Sequence, residues 1–187
     1  KDALFQVVSF ISTSGFYVCD YYSWPSFAIT ILFLLLFVGG CSFSTSGSLK
    51  IIRIVILFKL IKRGFFKQIH PRMVKAVMLN GKPVSTFVAS SVTTHVLLFL
   101  GIFMLGCLLL SFNNLSMETT ITSALGLFSN TGVALNGGVE NFGYFGMFNS
   151  FSQVVMTFLM IAGRLEMYAI VILFTKSFWK HNRANTI

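Results

Sequence analysis

The sequence predicts an all-α integral membrane protein built from two similar units, each with a short helix, a polar segment and longer helices. Of its 187 residues, 55% are hydrophobic and 10% are charged, whereas soluble domains carry about a quarter charged residues. Three uncharged runs are long enough to cross a hydrocarbon core of about 30 Å as helices. These runs are Tyr21–Leu49, Pro83–Met117 and Asn141–Gly163. A polar five-residue pattern that occurs twice indicates the internal repeat.

The predicted elements follow from hydropathy and turn signals along the chain. Asp2–Ile11 and Met117–Phe128 are apolar helices too short to span a bilayer, and each precedes one copy of the polar pattern. The longer predicted helices are Ser26–Gly40, Leu49–Gly64, Val84–Phe112 and Phe148–Trp179. Turn residues at His70-Pro71-Arg72 and at Asn80-Gly81-Lys82-Pro83 predict the connection between the two units.

The positive charge is concentrated in two places. The formal net charge is +9, and nine of the fourteen basic residues lie between Lys50 and Lys82, with three more near the C-terminus. This asymmetry predicts that Lys50–Lys82 and the C-terminus are cytoplasmic. It argues against a nucleic-acid partner and favours contact of the basic side chains with the anionic head groups of the lipid bilayer. A docking surface for a cytoplasmic protein is the alternative.

The doubled polar pattern is the main candidate site. The first copy is Ser12, Thr13, Ser14, Gly15 and Phe16, and the second is Ser129, Asn130, Thr131, Gly132 and Val133. Small polar residues with one glycine let extended backbone turn its carbonyls toward a common axis, and at membrane depth such backbone must line a cavity or be buried in protein. Carbonyl rings replace the water around a cation, so we interpret both copies as ion-binding filter segments. The partial negative charge at the C-terminal ends of the two short helices favours cations over anions. The alternative is a pair of interfacial turns.

An insertion distinguishes the two units. Ile54–Phe58 recurs as Ile170–Phe174, 39 residues after Gly15 and 38 residues after Gly132 respectively. A glycine between these markers, Gly40 in one unit and Gly163 in the other, shows that the first unit has about seven extra residues after that glycine. We interpret this small, polar insertion as a gate. The candidate gating residues are Gly40, Cys41, Ser42, Phe43, Ser44, Thr45, Ser46, Gly47 and Ser48.

Arg164 lies inside the last predicted span, Phe148–Trp179, and is the second candidate for gating. A charge at membrane depth costs at least about 2.5 kcal/mol and is a functional candidate by default. Glu166 is only two residues away, so the two side chains do not face each other on a helix. We expect Arg164 to form an electrostatic barrier beside the inserted segment. The alternative is a structural arginine that binds helix ends.

No pattern in the sequence indicates an enzyme. There is no Ser/His/Asp set, no HExxH pattern and no nucleotide-binding glycine loop. The three cysteines have no metal-ligand spacing and are predicted to be packing thiols. His95 stands in an apolar span and is predicted to pack or to form an interhelical hydrogen bond.

Together these motifs resemble those of the TrkH/TrkG/KtrB superfamily of bacterial potassium uptake membrane subunits, and most of all its TrkH branch. The motifs that carry the resemblance, in family order, are Ser12–Phe16, Gly39-Gly40-Cys41 with Ser44–Gly47, Lys50-Ile51-Ile52-Arg53, His70-Pro71-Arg72, Asn130-Thr131-Gly132 and Gly163-Arg164-Leu165-Glu166. The loop here has fewer glycines than the family pattern and contains Phe43, and Asn130 stands where the first copy has Thr13. The choice between potassium and sodium is therefore open.

The resemblance implies helix–pore-loop–helix repeats of potassium-channel-like architecture, four around one pore, with one glycine in each filter. This chain would be the C-terminal half: 1–64 a partial third repeat, 65–83 a cytoplasmic connection and 84–187 a complete fourth repeat. Potassium would be the substrate, with no cofactor. Its ligands would be the backbone carbonyls of Thr13, Ser14, Gly15, Asn130, Thr131 and Gly132.

The resemblance also implies a multi-pass protein of the bacterial cytoplasmic (inner) membrane. Its partners would be a second copy in a homodimer, a cytoplasmic nucleotide-binding regulatory subunit of TrkA or KtrA type, and the missing N-terminal repeats. The function so implied is monovalent cation uptake through a channel-like pore. The alternative is a truncated or degenerate half-transporter with a structural role, inactive without the N-terminal repeats. A two-repeat channel that assembles as a dimer is disfavoured, because the first unit lacks its leading helix.

Overall fold

The computed structural model describes residues 1–41, 44, 46–70, 72, 76–133, 148–165, 167 and 172. Helices dominate this part of the chain. The helices are α1 (Asp2–Ser12), α2 (Ser26–Val38), α3 (Ile51–Ile69), α4 (Thr86–Leu110), α5 (Met117–Phe128) and α6 (Ser150–Arg164). Short 3₁₀ turns at Tyr21–Ser23 and Ser111–Asn113 precede α2 and follow α4.

Helix boundaries lie close to those predicted, and the differences have local causes. Helix α5 has the predicted bounds, whereas α2 ends two residues early because Gly39 has φ 63° and ψ −177°. Helix α3 continues five residues past Gly64 and ends at Ile69, where His70 precedes Pro71 and so disfavours helical backbone. The predicted span Phe148–Trp179 is described as α6 up to Arg164, and most of its remainder lies outside the described residues.

A small hairpin departs from the all-α prediction. Strands β1 (Met78–Leu79) and β2 (Lys82–Pro83) pair antiparallel, with Met78 opposite Pro83. The turn residues Asn80 and Gly81 both have positive φ, 48° and 77°, which is the type I′ geometry that suits a two-residue hairpin. The turn itself was predicted, but two-residue strands leave no periodic pattern to detect.

The core surrounds α5. Nine of its residues are buried, and Phe128 stacks on Phe99 of α4 with ring centroids 4.7 Å apart. Helices α4 and α6 approach closely at Gly106, where a Cβ would lie 2.8 Å from Leu159 Cδ2. Helix α5 is thereby enclosed by α2, α4 and α6, so the backbone that follows it starts from a rigid support.

The outer faces of the helices are apolar. Large side chains on α4 and α6, among them Leu97, Leu108 and Val154, are at least 65% exposed, which is typical of a surface that meets lipid or other protein. Within the described residues, Thr86–Asn113 is the one helix long and apolar enough to cross a membrane by length and composition. At 13 residues, α2 is about 20 Å long, too short to cross alone.

Candidate functional site

The two polar segments have the same backbone conformation. Thr13 and Gly15 have φ values of 55° and 73°, and Asn130 and Gly132, which lie 117 residues later, have φ values of 59° and 72°. Left-handed backbone costs a non-glycine residue about 1–2 kcal/mol. Its occurrence at the same position of both segments therefore indicates that the two segments share one backbone structure. The two copies are therefore equivalent in structure as well as in sequence.

Each segment is tied to the end of its own short helix by equivalent hydrogen bonds. The N–H of Ser14 donates to Ser9 O at 3.1 Å, and the N–H of Thr131 donates to Gly126 O at 3.0 Å. The N–H groups one residue earlier, of Thr13 and Asn130, donate to Phe10 and Leu127. These pairs form the Schellman motif that often ends a helix, with Thr13 and Asn130 at the left-handed position where glycine is usual.

Hydroxyl groups repeat the same pattern. Ser12 Oγ donates to Ser9 O at 3.3 Å, and Ser129 Oγ donates to Gly126 O at 3.2 Å. Within the described part of the chain, no hydrogen bond is accepted by the carbonyls of Thr13, Ser14, Gly15, Asn130, Thr131 or Gly132. The amides and hydroxyls thus hold the segments in place, while these six carbonyls accept no hydrogen bond from the described residues.

The two segments meet in space. A Cβ built on Gly15 would overlap Thr131 O and would lie 3.6 Å from Val133 Cγ2. A Cβ built on Gly132, by contrast, has nothing described within 4 Å. Gly15 is thus enclosed by the other segment, whereas Gly132 has no such neighbour among the described residues.

The inserted loop leaves and rejoins the helical path at neighbouring points. Ile51 N–H donates to Gly40 O at 3.3 Å. In an α-helix the donor lies four residues after the acceptor, whereas here it lies eleven residues after, so the difference equals the seven inserted residues. Gly40 N–H donates to Ser46 Oγ at 2.9 Å, and Ser48 Oγ donates to Leu36 O at 2.6 Å. Ser46 and Ser48 are buried. Of the predicted gating residues, Ser42, Phe43 and Thr45 lie outside the described residues.

The loop, the second polar segment and α6 converge on one point. A Cβ on Gly47 would lie 3.0 Å from Gly163 O and 3.1 Å from Phe128 O, and it would overlap the amide of Asn130. A Cβ on Gly163 would overlap Phe128 O. Arg164 follows Gly163 directly as the last residue of α6, and its side chain is exposed. The structure therefore places the loop beside the residue that precedes Arg164; Glu166 lies outside the described residues.

Two functional candidates were missed in the sequence. Ser9 and Gly126 lie six residues before Gly15 and Gly132, and their carbonyls accept the hydrogen bonds that fix both segments. The Asn130 side chain also reaches α6. The sequence did contain a signal for Ser9 and Gly126, since both are small and stand 117 residues apart, the same separation as Gly15 and Gly132. Small residues are too common in this chain for that signal to stand out.

Polar contacts outside the segments join α3 to its neighbours. Arg53 Nη1 lies 3.0 Å from Nε2 of His95, which is buried in α4, so the predicted interhelical hydrogen bond of His95 is confirmed. Lys59 Nζ donates to Met78 O at 2.8 Å, which attaches the hairpin to α3. Lys59, Lys62 and Arg63 line a cavity of about 200 Å³ beside the hairpin.

The cysteines depart from the prediction in one case. All three are free thiols, and Cys19 and Cys107 are half-buried. Cys41, however, is exposed at the start of the loop, because the chain leaves the helical path there. The prediction of a packing thiol is therefore wrong for Cys41.

The fold and site define a helical membrane protein with two equivalent polar segments at the ends of short helices. A sequence profile of the TrkH family, described as cation transport protein, matches residues 1–182. The chain therefore belongs to the TrkH family.

Individual relatives agree with the profile. The Trk system potassium uptake protein TrkH of Halomonas elongata is 34% identical over 184 residues, which are 96% of this chain and 37% of that protein. TrkG of Escherichia coli K12 is 32% identical over 178 residues, 95% of this chain and 36% of that protein. The crystal structure of the potassium transporter TrkH from Vibrio parahaemolyticus matches with a TM-score of 0.86 at 30% identity, over 95% of this chain and 37% of that one. The chain thus spans about 37% of the length of these relatives.

Proposed function

We propose that this chain supplies two filter segments and the gate of a pore for potassium uptake across the bacterial inner membrane. The observation that carries the proposal is the pair of segments that share one backbone conformation and meet at Gly15 and Thr131. The names of the relatives, which are potassium uptake proteins, support potassium as the substrate.

In this proposal the ion is bound by backbone rather than by side chains. The six carbonyls of Thr13–Gly15 and Asn130–Gly132 accept no hydrogen bond from the described residues, and a dehydrated cation needs such oxygens to replace its hydration shell. Helices α1 and α5 end at the two segments, so their C-terminal partial charges add to the attraction for a cation. No cofactor takes part.

The gate in this proposal is the loop Gly40–Ser48 together with Arg164. The loop packs against the carbonyl of Phe128, directly before the second segment, where it would narrow the path of an ion that leaves the filter. Arg164 would add an electrostatic barrier at the same level. A positive charge near a pore repels cations strongly because the surroundings have a low dielectric constant.

The remaining filter segments would come from residues outside this chain. Residues 1–64 would form part of a third helix–pore-loop–helix repeat, 65–83 a cytoplasmic connection and 84–187 a fourth repeat. The exposed apolar face of α1, with Leu4 at 72% and Val8 at 57%, offers a surface for the other repeats. In the complete protein we expect a homodimer with a cytoplasmic regulatory subunit of TrkA or KtrA type.

Ion flux tests the proposal. The complete protein encoded by the reading frame that contains this chain would be reconstituted in liposomes, and Rb⁺ uptake measured against K⁺ or Na⁺ as competitor. We expect K⁺ to compete better than Na⁺; equal competition would contradict potassium selectivity. A complete protein that folds but supports no flux would contradict the transport function and favour a structural role.

The barrier has its own test. We expect Arg164→Ala to raise Rb⁺ flux, because the variant removes the positive charge without adding bulk. Unchanged or lower flux in a folded variant would contradict a barrier and favour a structural arginine.

A further inference from the structure

The Asn130 side chain links the second polar segment to the end of α6. With its amide oriented to satisfy both neighbours, its nitrogen donates to Met160 O and its oxygen accepts from the Arg164 N–H, both at 3.2 Å. In an α-helix these two backbone groups are the acceptor and the donor of one i→i−4 pair. One side chain therefore contacts both ends of a single helical hydrogen bond, in the turn that carries Arg164.

The surroundings leave this side chain little freedom. Its backbone is held by the Schellman motif with φ 59°, and the amide lies where a Cβ on Gly47 or Gly163 would stand. Two glycines from different elements thus make room for one amide. Since Gly47 belongs to the loop, the amide contacts the loop and α6 together.

The first segment has no counterpart to this link. Thr13 occupies the equivalent position, and its hydroxyl forms no hydrogen bond within the described residues. Its unit carries the inserted loop after α2, and a Cβ on Gly40 would stand 3.6 Å from Ile11 O. The side-chain link to the following helix is therefore found in the unit that carries Arg164.

We propose that Asn130 is a positioning residue for Arg164. Its amide holds the last turn of α6 against the filter segment, and with it the arginine, while contact with Gly47 couples this position to the loop. The inference rests on the proposed role of Arg164 as a barrier. It gives the side chain of Asn130 a role in gating, separate from the ion-binding role of its carbonyl.

Asn130→Gly is the informative variant, because glycine keeps the left-handed backbone and removes the amide. Asn114→Gly is the matched control, since Asn114 also has positive φ, 53°, but is exposed and distant from the site in sequence. Thr13→Gly gives the first filter segment the same backbone freedom without touching α6. If Asn130→Gly does not fold, Asn130→Asp keeps the acceptor for Arg164 and removes the donor to Met160.

In the complete reconstituted protein, we expect Asn130→Gly to raise Rb⁺ flux about fivefold, the factor that corresponds to one net hydrogen bond. The double variant with Arg164→Ala should conduct no more than Arg164→Ala alone, because both release the same barrier. Hydrogen exchange across Met160–Arg164 should become faster in Asn130→Gly and stay unchanged in Asn114→Gly.

The outcomes separate this inference from the proposed function. If Arg164→Ala raises flux but Asn130→Gly does not, or if the two effects multiply, the positioning role is wrong and the barrier stands. The same flux gain in Thr13→Gly would also overturn it, because filter flexibility would then suffice. Unchanged hydrogen exchange across Met160–Arg164 overturns the inference whatever the flux.

Discussion

The two polar segments reach one backbone conformation by different local means. In the first copy, Ser9 uses its hydroxyl to donate to Phe16 O at 2.6 Å. In the second copy, Gly126 stands at the position of Ser9, and a Cβ there would overlap Val133 O, the carbonyl equivalent to that of Phe16. A side-chain hydrogen bond in one copy thus corresponds to a close backbone approach in the other. The conformation is common to both copies, while the residues that support it differ.

The helices that follow the segments differ more. In the second unit Gly163 lies so close to Phe128 O that a Cβ would overlap it, whereas in the first unit a Cβ on Gly40 would stand 3.6 Å from the equivalent Ile11 O. The looser contact occurs where the inserted loop interrupts the helix. In the first unit a polar loop thus stands where the second unit has a tight contact between its helix and the end of the short helix, at the level where a gate is proposed.

The largest difference is expected between alanine substitutions at Gly15 and Gly132, the glycines of the two polar segments. Both glycines have left-handed backbone, but only a Cβ on Gly15 overlaps backbone of the other segment. We expect Gly15→Ala to abolish Rb⁺ flux and to lower the melting temperature, because the two segments must separate. Gly132→Ala should reduce flux less. It should lower the free energy of unfolding by about 1–2 kcal/mol, the cost of the left-handed backbone alone.

Gly64→Ala is the control, since this glycine lies inside α3 with nothing described within 4 Å. It should be neutral or stabilising by about 0.5–1 kcal/mol. Equal losses of flux and stability in Gly15→Ala and Gly132→Ala would show that the two segments do not meet as described.

A smaller difference is expected at the glycines of the following helices. Gly163→Ala would force α6 away from Phe128, so we expect a loss of about 2–3 kcal/mol in the free energy of unfolding, typical of overpacking. The methyl group added by Gly40→Ala would lie 2.7 Å from the Ser44 hydroxyl. Because that hydroxyl can rotate away, the loss of unfolding free energy should be smaller. Thermal unfolding in detergent measures both variants. A larger loss in Gly40→Ala would refute the looser contact in the first unit.

The smallest effect concerns the short helices themselves. Gln6 is fully buried in α1, and neither atom of its amide has a hydrogen-bond partner in the described structure. At the equivalent position in α5, Ser123 donates to Thr119 O. We expect Gln6→Leu to stabilise the protein by about 1 kcal/mol and Ser123→Ala to destabilise it slightly. Destabilisation by Gln6→Leu in the complete protein would show that Gln6 has a partner outside these residues.

Much of the fold was predictable because hydropathy and capping residues are local signals. The bounds of α5 follow from Ser116, whose Oγ accepts from Thr119 N–H at 3.3 Å, and from the polar segment after Phe128. The turn at Asn80-Gly81 was equally visible, although its two short strands were not. The end of α2 was misplaced because two consecutive glycines, Gly39 and Gly40, fit both a helix end and a close approach.

The site was predictable in its repeats and less so in its contacts. The doubled polar pattern located both segments, and counting residues from Gly15 and Gly132 located the seven-residue insertion, since spacing survives when side chains change. The meeting of Gly15 with Thr131, and the reach of the Asn130 amide to α6, depend on tertiary packing between residues at least 30 apart in sequence. A single sequence gives no measure of such distances.

The central claim is that the two segments face one ion path. Crystals of the complete protein soaked with Tl⁺, a heavy substitute for potassium, would locate bound ions by anomalous scattering. The account predicts a peak coordinated by carbonyls from both Thr13–Gly15 and Asn130–Gly132. Ions bound elsewhere, with no peak between these two segments, would contradict it.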